Sequence, residues 1–255
     1  MTTCIGRAPR SRPSSRAVRS SSNRWGTTPP SRWPAVSSLL RAAPEILQAF
    51  GETFYMLLVT VPLAVLFGTA LGTVLFLARP GSLLRAPRLY LALNATVNLL
   101  RSFPFLILMI ALIPVTRLLV GTALGTTAAT VPMVINAIPY FARLAEQALL
   151  DVDRGVIEAG QAMGMSRKQV VWHILYVEAR SGLANCVTIV TVSFFGYSTV
   201  AGLVGGGGLG DFAIRWGYYR YETLVLFVTV GIMVACVQAF QFTGNTVVRR
   251  LDKRI

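Results

Sequence analysis

Asp151–Val177 reads DVDRGVIEAGQAMGMSRKQVVWHILYV, a compact polar island in a chain that is otherwise largely apolar. The spacing predicts two short helices joined by a tight turn. Asp151 or Asp153 caps the first helix, because a short carboxylate accepts hydrogen bonds from the orphan N–H groups at a helix start. Gly164 stands where that helix should stop, since glycine takes the left-handed C′ conformation without a Cβ penalty. Ser166 opens the second helix, and Gln169 completes a capping box of the S-x-x-Q kind. Val170, Val171, Ile174 and Leu175 give that helix one apolar stripe. Stop and start signals matched this closely argue against a plain solvated loop.

The island is flanked by long stretches without a charge. Of the 255 residues, 54% are apolar and only 13% charged, against roughly 25% charged in a soluble domain. The composition points to an all-α, multi-span integral membrane protein. A soluble helix–turn–helix that reads DNA does not sit between membrane spans, so that reading is set aside. The net charge of +14 is concentrated: eight of the 24 basic residues lie in the first 41 positions, ahead of any acid. Removing eight from fourteen leaves six, an excess that cytoplasmic loops and a basic C-terminus account for. Nucleic acid is therefore not an expected partner. Cys4, Cys186 and Cys236 make no close pair and no metal spacing. His173, the single histidine, falls on the second helix of the island as a partly exposed structural residue.

Five spans are expected, at about 54–77, 91–115, 123–141, 182–204 and 223–243, within a transmembrane region of residues 49–243. In the first, Gly68 and Gly72 form a GxxxG pair, which lets a neighbouring helix approach closely. Glu52 and Thr53 precede it. The segment 79–88 carries Arg79, Arg85 and Arg88. In the second span Asn94, Asn98 and Arg101 share one helix face. They either line a conduit or, with Arg101 snorkelling to the cytoplasmic headgroups, bond neighbouring helices. The third span contains Pro132 and Pro139 and is closed by Arg143. The fourth ends in FFGYSTVAGLVGGGGLGD, residues 194–211. Its glycine run is no phosphate-binding loop, because no Gly-Lys-Ser/Thr follows. Such a run breaks a helix and lets backbone come close to a partner. An outer loop at 211–222 holds Trp216, Tyr218, Tyr219 and Tyr221, expected as interface anchors. Residues 244–255 are read as a basic tail.

Residues 1–38 are rich in Ser, Arg and Pro and are expected to be disordered. An organelle transit peptide, a basic arm on anionic lipid, and upstream sequence outside the mature protein all fit this composition.

Counting charges by side gives an orientation. Twelve basic residues lie in 79–88, 143–180 and the C-terminal tail; three, Arg117, Arg215 and Arg220, lie opposite. The polar island and the C-terminus are then cytoplasmic and the N-terminus external. The spans lack the Asp, Glu, His or Lys by which ion-coupled transporters carry their ions, and no Walker motif is present. A translocating protein with neither device needs an outside motor.

The island resembles the permease signature of bacterial ATP-binding-cassette importers: E-A-A, three residues, G, nine residues, I, one residue, L-P. Glu158, Ala159, Gly160, Gly164 and Ile174 fall at those positions, with Gly160 in place of the third alanine and Tyr176-Val177 in place of Leu-Pro. Residues 101–105, 120–125, 196–200 and 205–221 are similar to segments of the methionine-import permeases. The resemblance implies the type I ABC importer permease fold, with 151–177 as the pair of coupling helices that dock on an ATPase. It implies a homodimer of this chain in the bacterial inner membrane, two ATP-binding-cassette ATPase subunits that use the ATP and Mg, and an external methionine-binding (lipo)protein. Methionine, D- and/or L-, is the implied cargo, and no catalytic residue or metal is expected. Glu158, Ala159, Gly160, Gly164, Ser166 and Ile174 are the expected coupling residues. Tyr197, Ser198, Thr199 and Val200 are the expected pathway residues. Other readings are a permease for a phosphonate or quaternary amine, an ion-coupled secondary transporter, which would need inverted repeats and buried ionisable groups, and a membrane anchor, which would not need the coupling loop.

Overall fold

The computed structural model describes residues 34–82, 84 and 86–252. Among them every regular element is helical. The first helix, α1, runs Pro34–Ala78 without interruption, through Pro44 and Pro62. It starts inside the segment expected to be disordered and runs well ahead of the expected span. Residues 1–33 lie outside the described residues. The excess length has a cause in the sequence: 39–53 holds three Leu, three Ala and two Glu, good helix formers, while Arg41, Glu45, Gln48 and Glu52 keep it out of an apolar window.

The second expected span is not one helix. It is α2 (Pro87–Ser102) and α3 (Phe105–Ala111), bent by 99°. Pro104 lacks the N–H that would continue α2, and it drives Phe103 into extended backbone at φ −73°, ψ 129°. A short α4 (Ile113–Val120) follows and ends on Gly121 at φ +83°. The third span, α5 (Thr126–Leu150), continues past its expected end. Arg143 is therefore not a terminal residue: it ion-pairs at 2.7 Å with Glu146, which is 1% exposed, and donates to Asn94. The buried pair keeps the helix polar on one side without ending it.

After the polar island, α9 (Arg180–Leu203) matches the fourth span closely. The outer loop is a correction: residues 208–219 are α10 (Gly208–Phe212) followed by a π-helical stretch (Ala213–Tyr219). The last helix, α11 (Thr223–Leu251), absorbs most of the expected basic tail. Arg249 and Arg250 sit in its last turn, where cations suit the helix dipole.

The central helix pair is α1 against α5. A Cβ at Gly68 would stand 2.8 Å from Cβ of Phe141, and one at Gly72 would be 2.9 Å from Cβ of Ala145. The GxxxG pair thus serves packing within the chain, where close backbone approach replaces the hydrophobic drive that lipid does not supply. Phe141, Phe194, Phe195 and Phe212 fill the core around it. The helix ends sort into two groups. Ala78, Leu150 and the polar island lie at one end, and the end of α11 joins them, since Arg180 donates to the carbonyl of Leu251 at 3.0 Å. Glu52, Gly125 and the glycine run lie at the other.

Candidate functional site

The island folds as its caps dictate. Helix α6 (Arg154–Ala162) opens on Asp153, whose carboxylate accepts from the Gly155 N–H at 2.7 Å. It closes at Gly164, φ +83°, with Met165 N–H bonded to the Gly160 carbonyl and Gly164 N–H to that of Gln161. These are the two bonds of a Schellman end. Ser166 and Gln169 form a reciprocal capping box, with bonds of 3.4 and 2.8 Å. The second helix then runs through α7 (Arg167–Gln169), a π-helical stretch (Val170–Leu175) and α8 (Tyr176–Glu178).

The apolar stripe anchors this hairpin to the bundle. Val171 and Leu175 join a small core with Phe76, Leu149, Val152 and Ala179, and Tyr176 meets Thr73 at 2.8 Å. Gly160 is buried directly under Ile174, and a Cβ there would run into Cδ1 of that isoleucine. The opposite face is open: Glu158, Ala159, Gly164 and Ser166 are all exposed, with Met163 and Trp172 beside them. Of the six expected coupling residues, the buried Gly160 and Ile174 therefore set the hairpin's closure, and the other four line its outer edge. A cleft of about 660 Å³ lies between the hairpin and the segment after α1. It is lined by Arg79, Arg154, Arg167 and Glu158, none of which is in an ion pair among the described residues. His173 is exposed, its ring against the Gln169 carbonyl.

The expected pathway residues are spread around α9. Tyr197 is half-buried, its ring tilted against Phe105 and edge-on to Phe194, with centroids 4.8 and 5.0 Å away. Ser198 is turned into the core, and its hydroxyl donates to the Phe195 carbonyl. Thr199 donates to Gly196 and Val200 is half-buried.

The glycine run makes a built turn at the far end. Gly205, Gly207 and Gly208 have φ of +84°, +73° and +83°. The N–H groups that open α10 are received by α1: Gly208 donates to Glu52 at 2.7 Å and Leu209 to the hydroxyl of Thr53 at 2.9 Å. One helical turn pair earlier, Glu45 accepts from the indole N–H of Trp216 at 2.9 Å. Trp216 is thus a buried anchor to α1, contrary to the expected interface role, while Tyr218, Tyr219 and Tyr221 are exposed. These clamps were missed. Their one trace in the sequence is two glutamates seven apart, on one face of α1, ahead of an apolar run.

Residues 64–255 match the family described as binding-protein-dependent transport system inner membrane component. The chain is 45% identical over 223 residues to the probable D-methionine transport system permease protein MetI of Vibrio cholerae, covering 88% of this chain and 97% of that one. It is 38% identical to the methionine import system permease protein MetP of Bacillus subtilis, covering 82% and 95%. Among solved structures it resembles an inward-facing conformation of the MetNI methionine ABC transporter. There the TM-score is 0.82 and the identity 37%, with 84% of this chain and 99% of that one covered.

Proposed function

The chain belongs to the binding-protein-dependent transport system inner membrane components, and on that premise we propose that it is the permease subunit of an ATP-driven methionine importer. The observation that carries this reading is the exposed, doubly capped hairpin at 154–178. It is capped at the start of both helices, it is fastened to α1 and α5 by its apolar stripe, and its opposite face is exposed. Force applied to its outer face is delivered to those two helices.

In this reading the hairpin seats on a cytoplasmic ATPase subunit, which holds the ATP and Mg. The cleft beside it, with three guanidinium groups outside any ion pair among the described residues, favours an acidic contact on that partner. Two copies of the chain and two ATPase subunits form the transporter, and an external methionine-binding protein delivers the cargo. The hairpin and the end of α11 face the cytoplasm, and Glu52, with the glycine turn, faces outward. The pathway passes α9 near Tyr197–Val200.

The test is substrate selection by the reconstituted transporter. Labelled D- and L-methionine, a phosphonate and a quaternary amine are offered to proteoliposomes holding this chain, its ATPase and its binding protein. Uptake of methionine alone supports the reading. Preference for the phosphonate or the amine replaces it.

A further inference from the structure

We propose that Arg101 binds the carboxylate of the transported amino acid, in a subsite at mid-depth of the bundle with Tyr140 and Tyr197 as its floor. The proposal rests on the reading of the chain as an amino-acid permease.

Three helices fix the depth. Arg101 lies fourteen residues past Pro87, the start of α2, which is about 21 Å at about 1.5 Å per residue. Its guanidinium carbon stands 5.6 Å from the ring centroid of Tyr140. Tyr140 is fourteen residues from one end of α5 and ten from the other, or about 21 and 15 Å. The Tyr140 hydroxyl meets Ser193, thirteen residues into α9, at 3.4 Å. In an apolar layer of about 30 Å this level is near the middle. Of the two roles expected for Arg101, this depth favours the conduit over snorkelling to the headgroups.

An arginine at that depth is expensive and as a rule faces the bundle interior or a water-filled cavity. Arg143, on the neighbouring helix, has Glu146. Arg101 has no hydrogen bond and no acidic partner among the described residues, and its side chain is exposed. It is a cation held ready at a break in a helix. The break supplies a second group: the last carbonyls of α2 have no intrahelical partner and carry the negative end of the helix dipole.

The floor continues from the cation. Tyr140 packs edge-on against Phe194, Phe194 against Tyr197, and Tyr197 against Phe105 at the start of α3. Tyr140 and Tyr197 are half-buried, so each keeps part of its surface open. The set matches a zwitterionic thioether. A carboxylate takes the guanidinium fork, an ammonium takes the carbonyls, and a sulfur atom takes an aromatic edge.

The experiment uses the full transporter with its ATPase and binding protein, and reads ATP-driven uptake of labelled L-methionine per assembled complex. Arg101→Gln is expected to lower uptake about tenfold or more, the order of a lost charge-assisted hydrogen bond. Arg101→Lys, which keeps the charge, is expected to retain more than the glutamine variant. The binding protein is the same in every sample, so its selectivity cannot produce the difference. Uptake by Arg101→Gln equal to wild type overturns the subsite and leaves the permease reading standing. A lysine variant no better than glutamine, or failure of both variants to assemble, makes Arg101 structural and also overturns it. Absence of ATP-driven methionine uptake by the wild-type transporter overturns the permease reading itself.

Discussion

Gly160 lies directly beneath Ile174, so that the two helices of the exposed hairpin touch through a missing side chain and a δ-methyl group. The contact explains a departure from the signature, which has alanine where this chain has Gly160. It also makes the two positions interdependent. Gly160→Ala gains about 1 kcal/mol of helix propensity and loses about 0.5–1.5 kcal/mol by pushing Ile174 off its rotamer. The single change should be close to neutral. In an Ile174→Val background, which lacks Cδ1, the same change should raise thermal stability. Thermal unfolding of the four proteins in detergent measures the coupling; equal effects of Gly160→Ala in both backgrounds would falsify the contact.

Gly164 controls the turn between those helices. No atom crowds its missing Cβ, so space is not the difficulty. The difficulty is φ +83°, which costs an L-residue about 1–2 kcal/mol and a β-branched one more. Gly164→Val should leave the protein in the membrane at normal abundance and strongly reduce ATP-driven uptake. Gly164→Asn, which tolerates the left-handed region, should keep most of it. Immunoblots of membranes beside uptake assays decide this, and normal uptake by the valine variant would remove the hairpin from the coupling mechanism.

The hairpin was legible in the sequence because its information is local. Asp153, Gly164, Ser166 and Gln169 act on backbone within three residues of themselves. The spans were legible by apolarity, and their ends were not. Helix α1 begins well before its apolar run, and α5 continues through Arg143 because Glu146 neutralises it. The fracture of α2 at Pro104 carried a visible signal in the proline itself. The outer turn did not. Its acceptors, Glu52 and Thr53, are 156 residues from the N–H groups they receive, and no local pattern announces such a pairing.

That pairing yields a third expectation. Glu52→Ala leaves the N–H of Gly208 without its acceptor, at a cost of about 1.5–3 kcal/mol for a bond to a charged group. Glu52→Gln keeps an amide oxygen in place and should cost less. Hydrogen exchange over residues 205–212 should accelerate in the alanine variant and only modestly in the glutamine variant. Unchanged exchange in both would show that α1 does not hold the turn.

The α1–α5 contact at Gly72 supplies a fourth. A Cβ there meets the Ala142 carbonyl as well as Ala145, and backbone cannot step aside as a side-chain tip can. Gly72→Leu should prevent folding and deplete the protein from membranes. By contrast Gly231→Leu, at a glycine with nothing within 4 Å, should accumulate normally. Equal abundance of the two variants would contradict the close approach.

The central claim is that an external nucleotide-driven motor moves this chain through its hairpin. The most direct measurement is methionine accumulation in two sets of vesicles. One holds only this chain under an imposed sodium or pH gradient; the other holds the chain with its ATPase, ATP and the binding protein. The account predicts accumulation in the second set only, abolished when ATP is withheld. Accumulation in the first set, driven by an ion gradient alone, would contradict it.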